Sequence, residues 1–143
     1  MRAVAISLKI PDNTAYTALV TLRRLGVDVA DVERSDVWFF DEDDSVELAA
    51  RVTADEAMFN PNKHRLTVLD ECAPREGEVW IEPLQPFAHA PAAVAWRLLR
   101  TNGKPAERTT LDAAIERLLC NPAIDRAVVN DCANHRDNRF AGE

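Results

Sequence analysis

Large apolar residues stand at Val4, Ile6, Leu8 and Ile10, with small or polar residues between them. That period of two predicts a strand with one buried face. Pro11-Asp12-Asn13 ends it, and Asn13 is expected to cap a helix. The apolar positions Ala15, Ala18, Leu19, Leu22 and Leu25 recur there at helical spacing, Arg23 and Arg24 sit in the last turn, and Gly26 is the stop. Residues 27–40 are β-branched at Val27, Val29 and Val32 and bulky at Val37-Trp38-Phe39-Phe40, with Arg34-Ser35-Asp36 as a turn between. This predicts a hairpin or one bent strand. Asp44 followed by Glu47 forms a capping-box-like start for a second helix, with Leu48, Val52, Met58 and Phe59 on its apolar side. Asn60-Pro61-Asn62 stops it, and residues 64–69 give another strand with Leu66 and Val68 on one side.

Residues 1–71 therefore read β-α-β-β-α-β, the order of a ferredoxin-like α+β unit with helices on one face of an antiparallel sheet. The stretch from Cys72 to Gly77 is the expected linker. Residues 78–129 repeat the pattern in shortened form. Val79-Trp80-Ile81-Glu82 echoes Val4-Ala5-Ile6-Ser7, and Asn121-Pro122 echoes Asn60-Pro61. A helix from Pro91 to Asn102-Gly103 carries Val94, Ala95, Leu98 and Leu99, and another, capped by Thr109 or Thr110, carries Leu111, Ala114, Ile115, Leu118 and Leu119. The second unit is thus expected to be β-α-α-β, packed against the first because neither is large enough to stand alone. Residues 130–143 are polar and aperiodic and are expected to form a loose tail.

The formal charge of −7 offers no basic footprint for nucleic acid or anionic lipid. No stretch approaches the roughly 20 apolar residues of a membrane-spanning helix. Three widely spaced cysteines, Cys72, Cys120 and Cys132, follow an opening that does not read as a secretory leader. They are expected to be reduced thiols in a cytoplasmic protein. Asp41-Glu42-Asp43-Asp44 lacks the spacing of a calcium loop, and a lone Cys132-Ala133-Asn134-His135 is weak support for zinc. No glycine-rich phosphate loop can be assembled from Gly26, Gly77, Gly103 and Gly142, and no cysteine sits in a catalytic signature. No metal, cofactor or catalytic residue is expected. The densest polar cluster is Asn60, Asn62, Lys63, His64 and Arg65, which can serve either as a helix stop or as an anion or partner contact.

The strand, Leu8-Lys9, Pro11-Asp12, Ala-rich helix, Leu25-Gly26 and Val29-x-Asp31-Val32 succession resembles the PurS subunit of phosphoribosylformylglycinamidine synthase, and Leu118-Leu119-Cys120-Asn121-Pro122-Ala123-Ile124-Asp125 is similar to that family's helix endings. The likeness covers residues 3–69 and the two ends of the second unit. It implies a non-catalytic subunit that holds a glutaminase against an ATP-dependent synthetase in purine biosynthesis, itself a homodimer or higher oligomer. The family's hairpin carries Arg and then Gly-Lys at its turn, where this chain has Glu33-Arg34-Ser35-Asp36. Contacts are then expected at the hairpin tip, Glu33, Arg34 and Asp36, and at the exposed turn from Asn60 to Arg65. A homo-oligomer is also expected because residues 37–40 present bulky side chains to both sides of a sheet. The alternative is a stand-alone small-molecule sensor or enzyme on a duplicated ferredoxin-like scaffold.

Overall fold

A computed structural model describes residues 1–130 of the chain. Six strands form one antiparallel sheet: β1 (Arg2–Leu8), β2 (Asp31–Phe40), β3 (His64–Val68), β4 (Glu78–Pro83), β5 (Ala93–Leu99) and β6 (Asp125–Val129), in the order β3-β1-β2-β5-β4-β6. Three helices accompany it among the described residues: α1 (Asn13–Arg24), α2 (Ser45–Ala54) and α3 (Arg108–Ala114), the last running into a π-helical turn at Ile115–Leu119. None of them is long and apolar enough to cross a membrane. The α+β class and the single helical face follow the sequence pattern. Two elements and two caps differ from it.

The expected hairpin is one ten-residue strand. Arg34 and Asp36 lie opposite Trp96 and Val94 of β5, and Asp36 also lies opposite Ile6 of β1, so the supposed turn runs straight between two partners. The first unit is β-α-β-α-β. The expected helix from Pro91 to Asn102 is instead the strand β5, paired with β2 on one side and β4 on the other. Its residues satisfy helical spacing only by coincidence with a period of two: Ala93 and Ala95 face one way, Val94, Trp96 and Leu98 the other. Pairing on both edges overrides the local pattern. The second unit is therefore β-β-α-β. Asp12, not Asn13, caps α1 by accepting from the backbone N–H groups of Thr14 (3.0 Å) and Ala15 (3.1 Å). Asp44 caps α2 as expected, while α3 is entered through Glu107 without a side-chain bond.

The two halves meet at the β2–β5 pair, and each has its own central strand. Val4 lies between Trp38 and Val68, and Val79 lies between Trp96 and Val129. Asn60 and Asn121 build the same turn behind the edge strands. Asn60 Oδ1 accepts from Asn62 N–H (2.9 Å) and its carbonyl from Lys63 (3.0 Å) and His64 (2.8 Å). Asn121 Oδ1 accepts from Ala123 N–H (3.1 Å) and its carbonyl from Ile124 (3.0 Å) and Asp125 (2.8 Å). The second half lacks a counterpart of α1, because residues 84–92 hold no helix.

On the helical face, α1 and α3 pack over Val32 and Leu98, while α2 packs over Val4 and Ile6 with Trp38 and Phe40 beside them. The opposite face is also buried. Ala3, Ala5, Val37, Ala93 and Ala95 surround Trp80 there, joined by Leu69 beyond β3 and Val128 of β6. β3 and β6 are opposite edges, which a flat sheet would hold about 24 Å apart at 4.8 Å per strand. Thr67 and Val68 of β3 and Asn130, one residue past β6, nevertheless line one cavity of about 350 Å³, so the sheet curls, and the alanines allow it. Residues 37–40 find packing on both sides within one chain: Val37 is fully buried, Trp38, Phe39 and Phe40 are half-buried, and Phe39 packs on Trp80 at 5.9 Å between ring centroids. The apolar surface on which the expected oligomer rested is thus covered in part by the chain itself.

Candidate functional site

The even-numbered residues of β2 all face the helices, but the helices do not cover them all. Val32 lies under α1, and Trp38 and Phe40 lie by α2. Between these positions the helices part, and Arg34 and Asp36 line the gap. The result is a cleft of about 310 Å³, closed by Asp12 at the start of α1, Ala57 and Met58 beyond α2, His64 at the start of β3, and His89 and Pro91 from the loop before β5.

Its polar groups constrain one another. Asp12 divides its carboxylate: Oδ1 caps α1, and Oδ2 accepts from Arg34 Nε at 3.2 Å. His64 is tied to the turn behind it, Nδ1 accepting from the Asn60 backbone N–H at 2.9 Å, with the Phe59 ring 5.9 Å away. His89 holds φ at +61°, a left-handed conformation that costs a non-glycine residue on the order of 1–3 kcal/mol. Asp36 is pushed above the ordinary carboxylate range, chiefly by burial, against the pull of Arg34 and His64 and with a small push from Asp12.

The raised value of Asp36 has a definite stability consequence. The folded chain binds that proton more readily than the unfolded chain, so the residue opposes folding above its folded pKa and ceases to do so as the pH falls through it towards the unfolded value. Asp36→Asn is expected to raise the melting temperature at neutral pH and to give a smaller gain in acid. Thermal melts at several pH values check this; a gain that grows in acid would contradict it.

Of the expected contact residues, the fold brings together Arg34, Asp36 and His64. Glu33 points to the other face, with its carboxylate 3.9 Å from Arg97. Asn60 belongs to the turn, Asn62 and Lys63 are exposed on it, and Arg65 is exposed on β3. His64, expected to be exposed, is half-buried and bonded. Lys63→Ala should therefore leave stability within about 0.5 kcal/mol of the parent, while His64→Ala should cost about 1 kcal/mol for the lost turn bond, both read by urea denaturation. Asp12, Trp38, Met58 and His89 were not expected at a site.

No family model, curated protein or solved structure matches this chain. The cleft therefore has to be read from its own chemistry. It offers cationic, acidic and imidazole groups above an apolar lining of Ile6, Trp38 and Met58. Among the described residues no group of three or more His, Cys, Asp or Glu side chains is placed to hold a metal ion. Cys132 and His135 lie outside the described residues. Cys72 is exposed with its thiol near the Met1 carbonyl (3.5 Å), and burial and the Asp125 carboxylate push the Cys120 thiol up, away from the reactive thiolate.

A second groove, about 450 Å³, lies between α1 and the π-helical turn and is lined by Trp96, Leu118 and Leu119 opposite Thr14, Thr17 and Thr21. Trp96 holds the sheet position in the second half that Trp38 holds in the first, opposite Val79 and Val4 respectively. Where β2 carries Asp36, β5 carries Val94, and where β3 opens on His64, β6 opens on Asp125. The acidic and imidazole groups of the cleft at Asp36 and His64 are thus not repeated in the second half, which contributes His89 and Pro91 to its rim.

Proposed function

We propose that this chain is a small-molecule-binding protein whose ligand occupies the cleft at Asp12, Arg34, Asp36 and His64, on a scaffold formed by an internal repeat and working in the cytoplasm. The observation that carries this reading is the convergence of those side chains, from two strands and a helix cap, on one concave space with an apolar lining. Ligand sites are typically concave and apolar with a few convergent polar groups, and a carboxylic acid displaced from its ordinary range belongs to that pattern. The repeat is supported by the two matching Asn-Pro turns and by the common position of Trp38 and Trp96. A thermal-shift screen of small polar metabolites tests the reading. A binder should raise the melting temperature by mass action and lose its effect in Arg34→Ala. A flat screen would count against it.

A second reading is the PurS-like adaptor, without catalysis of its own, between glutaminase and synthetase subunits. It is favoured by an exposed apolar patch outside the cleft: Leu84 and Ile124 are joined by a backbone hydrogen bond (2.9 Å), and Phe87 follows in the same loop. Large exposed apolar residues near one another mark contact surfaces. Pull-down with the two subunits, with and without glutamine and ADP, should then depend on Phe87. No association under either condition would sink the adaptor reading. Homo-oligomerisation belongs with it, and light scattering at micromolar concentration decides that point.

A further inference from the structure

The two Asn-Pro turns need the same thing from the residue four positions on, and only one of them obtains it from a histidine. At the second turn Asp125 Oδ2 faces the Asn121 backbone N–H at 3.5 Å; at the first, His64 Nδ1 accepts from Asn60 N–H at 2.9 Å. The turn asks only for an acceptor. An imidazole nitrogen that accepts carries no proton, so the neutral ring of His64 bears its proton on Nε2. A histidine here thus adds a donor that the aspartate of the second turn lacks, in a residue that lines the cleft. Arg34 meets Asp12 through Nε, which leaves its two terminal nitrogens as further donors.

Resting on the cleft reading above, we propose that the ligand carries a small oxyanion, a carboxylate or a phosphate, received by His64 Nε2–H and the terminal nitrogens of Arg34, and that Asp36 takes up a proton as it binds. Charge dictates the second half of this statement. Asp12 is compensated by Arg34, but an ionised Asp36 would repel an arriving anion. Its burial already favours the acid form, and an anion beside it favours that form further. The other charged or titratable groups around the cleft are few. His89 faces it from the loop before β5, Lys9 beyond β1 has its Nζ on the Pro61 carbonyl (2.8 Å), Lys63 and Arg65 are exposed, and the residues beyond α2 that line it, Ala57 and Met58, bear no charge.

Sulfate and acetate are suitable probes of the two oxyanion classes because neither changes its charge between about pH 6 and pH 8. Titrated into the full chain and followed by amide and imidazole NMR signals, at least one should bind. Its affinity should rise as the pH falls, by up to about tenfold per unit while one proton is taken up. Asp36→Asn should bind at the upper pH as tightly as the parent does at the lower, with little pH dependence. His64→Asn is the decisive variant: its Oδ1 can still accept from Asn60 N–H, so it should melt like the parent, yet its amide nitrogen then falls where the ring carbon Cδ2 was, short of the Nε2 position, and it should bind about tenfold more weakly or worse. Binding by sulfate alone or acetate alone supports the proposal and selects phosphate or carboxylate. Undiminished binding in His64→Asn overturns it. A pH dependence that survives in Asp36→Asn and disappears in His89→Asn overturns the assignment of the proton. If both anions fail while a neutral or cationic metabolite moves the His64 and Arg34 signals, the oxyanion is wrong and the cleft stands. If nothing moves them, both fall.

Discussion

Trp80→Ala is expected to lower stability by about 3–5 kcal/mol, the range for truncating a buried large aromatic residue, and to fall in the upper part of that range. Trp80 is the largest side chain that is fully buried, at 1% exposure. It fills the concave face of the curled sheet against Phe39, and its neighbours Ala3, Ala5, Ala93 and Ala95 have no long side chains that could move into the space. The cost of such a truncation depends on how far the site can collapse, and this one cannot collapse far. A polar penalty adds to it. Trp80 Nε1 donates to Glu78 Oε1 at 2.9 Å, and Glu78 is itself 1% exposed, with Arg75 its other partner through the terminal guanidinium nitrogen at 2.8 Å. Removing the indole takes one donor from a buried carboxylate. Urea denaturation with a two-state fit measures the effect, and a loss near 1 kcal/mol would mean that the concave face is not a packed core. Trp38→Ala, at a half-buried position, is the internal comparison and should cost less.

The contrast between β2 and β5 explains which parts of the site were legible from the sequence. In β2 the series Val32, Arg34, Asp36, Trp38, Phe40 keeps a period of two without a break, and following it through would have placed Arg34 and Asp36 on the face of Val32 and Trp38. Arg34-Ser35-Asp36 reads instead as turn chemistry, because polar residues amid apolar ones ordinarily mark the end of a strand. Here they mark the place where two helices part. β5 carried no such clue. Ala93 to Leu99 fits a helical stripe as well as a strand, and only the partners on both sides, distant in sequence, decide between them. The Asn-Pro turns were legible twice over because their hydrogen bonds are local. His64 was visible as a polar residue on such a turn, but its place in the cleft depends on β1 and β2 running past it. Asp12 was within one residue of the expected cap, and its second role, as partner of Arg34, joins positions 22 apart. His89 sits in a loop without periodicity, so nothing local assigned it.

Gly77→Ala is expected to cost about 2–5 kcal/mol, because two penalties of different origin meet there. Gly77 has φ at +75°, where a side chain costs roughly 1–2 kcal/mol from the backbone alone. An added Cβ would also lie 2.6 Å from Pro105 Cβ, closer than real atoms approach, and a tight 3.0 Å from Pro105 Cα. The neighbours cannot retreat freely. Gly77 O accepts from Leu98 N–H at 2.8 Å, Ala106 N–H donates to Leu98 O at 2.9 Å, and Pro105 is bridged to Leu99, so the backbone is held from both sides. Overpacking of this kind typically adds about 1–3 kcal/mol. Gly103 supplies the comparison, since its φ of +76° is nearly the same and an added Cβ there meets nothing within 4 Å. Gly103→Ala should cost only the backbone part. The difference between the two variants, measured by denaturant unfolding in the same buffer, isolates the collision with Pro105. If both lose the same stability, the segment around Pro105 yields to the methyl group, and the close approach of residues 77 and 105 does not constrain the entry to β4.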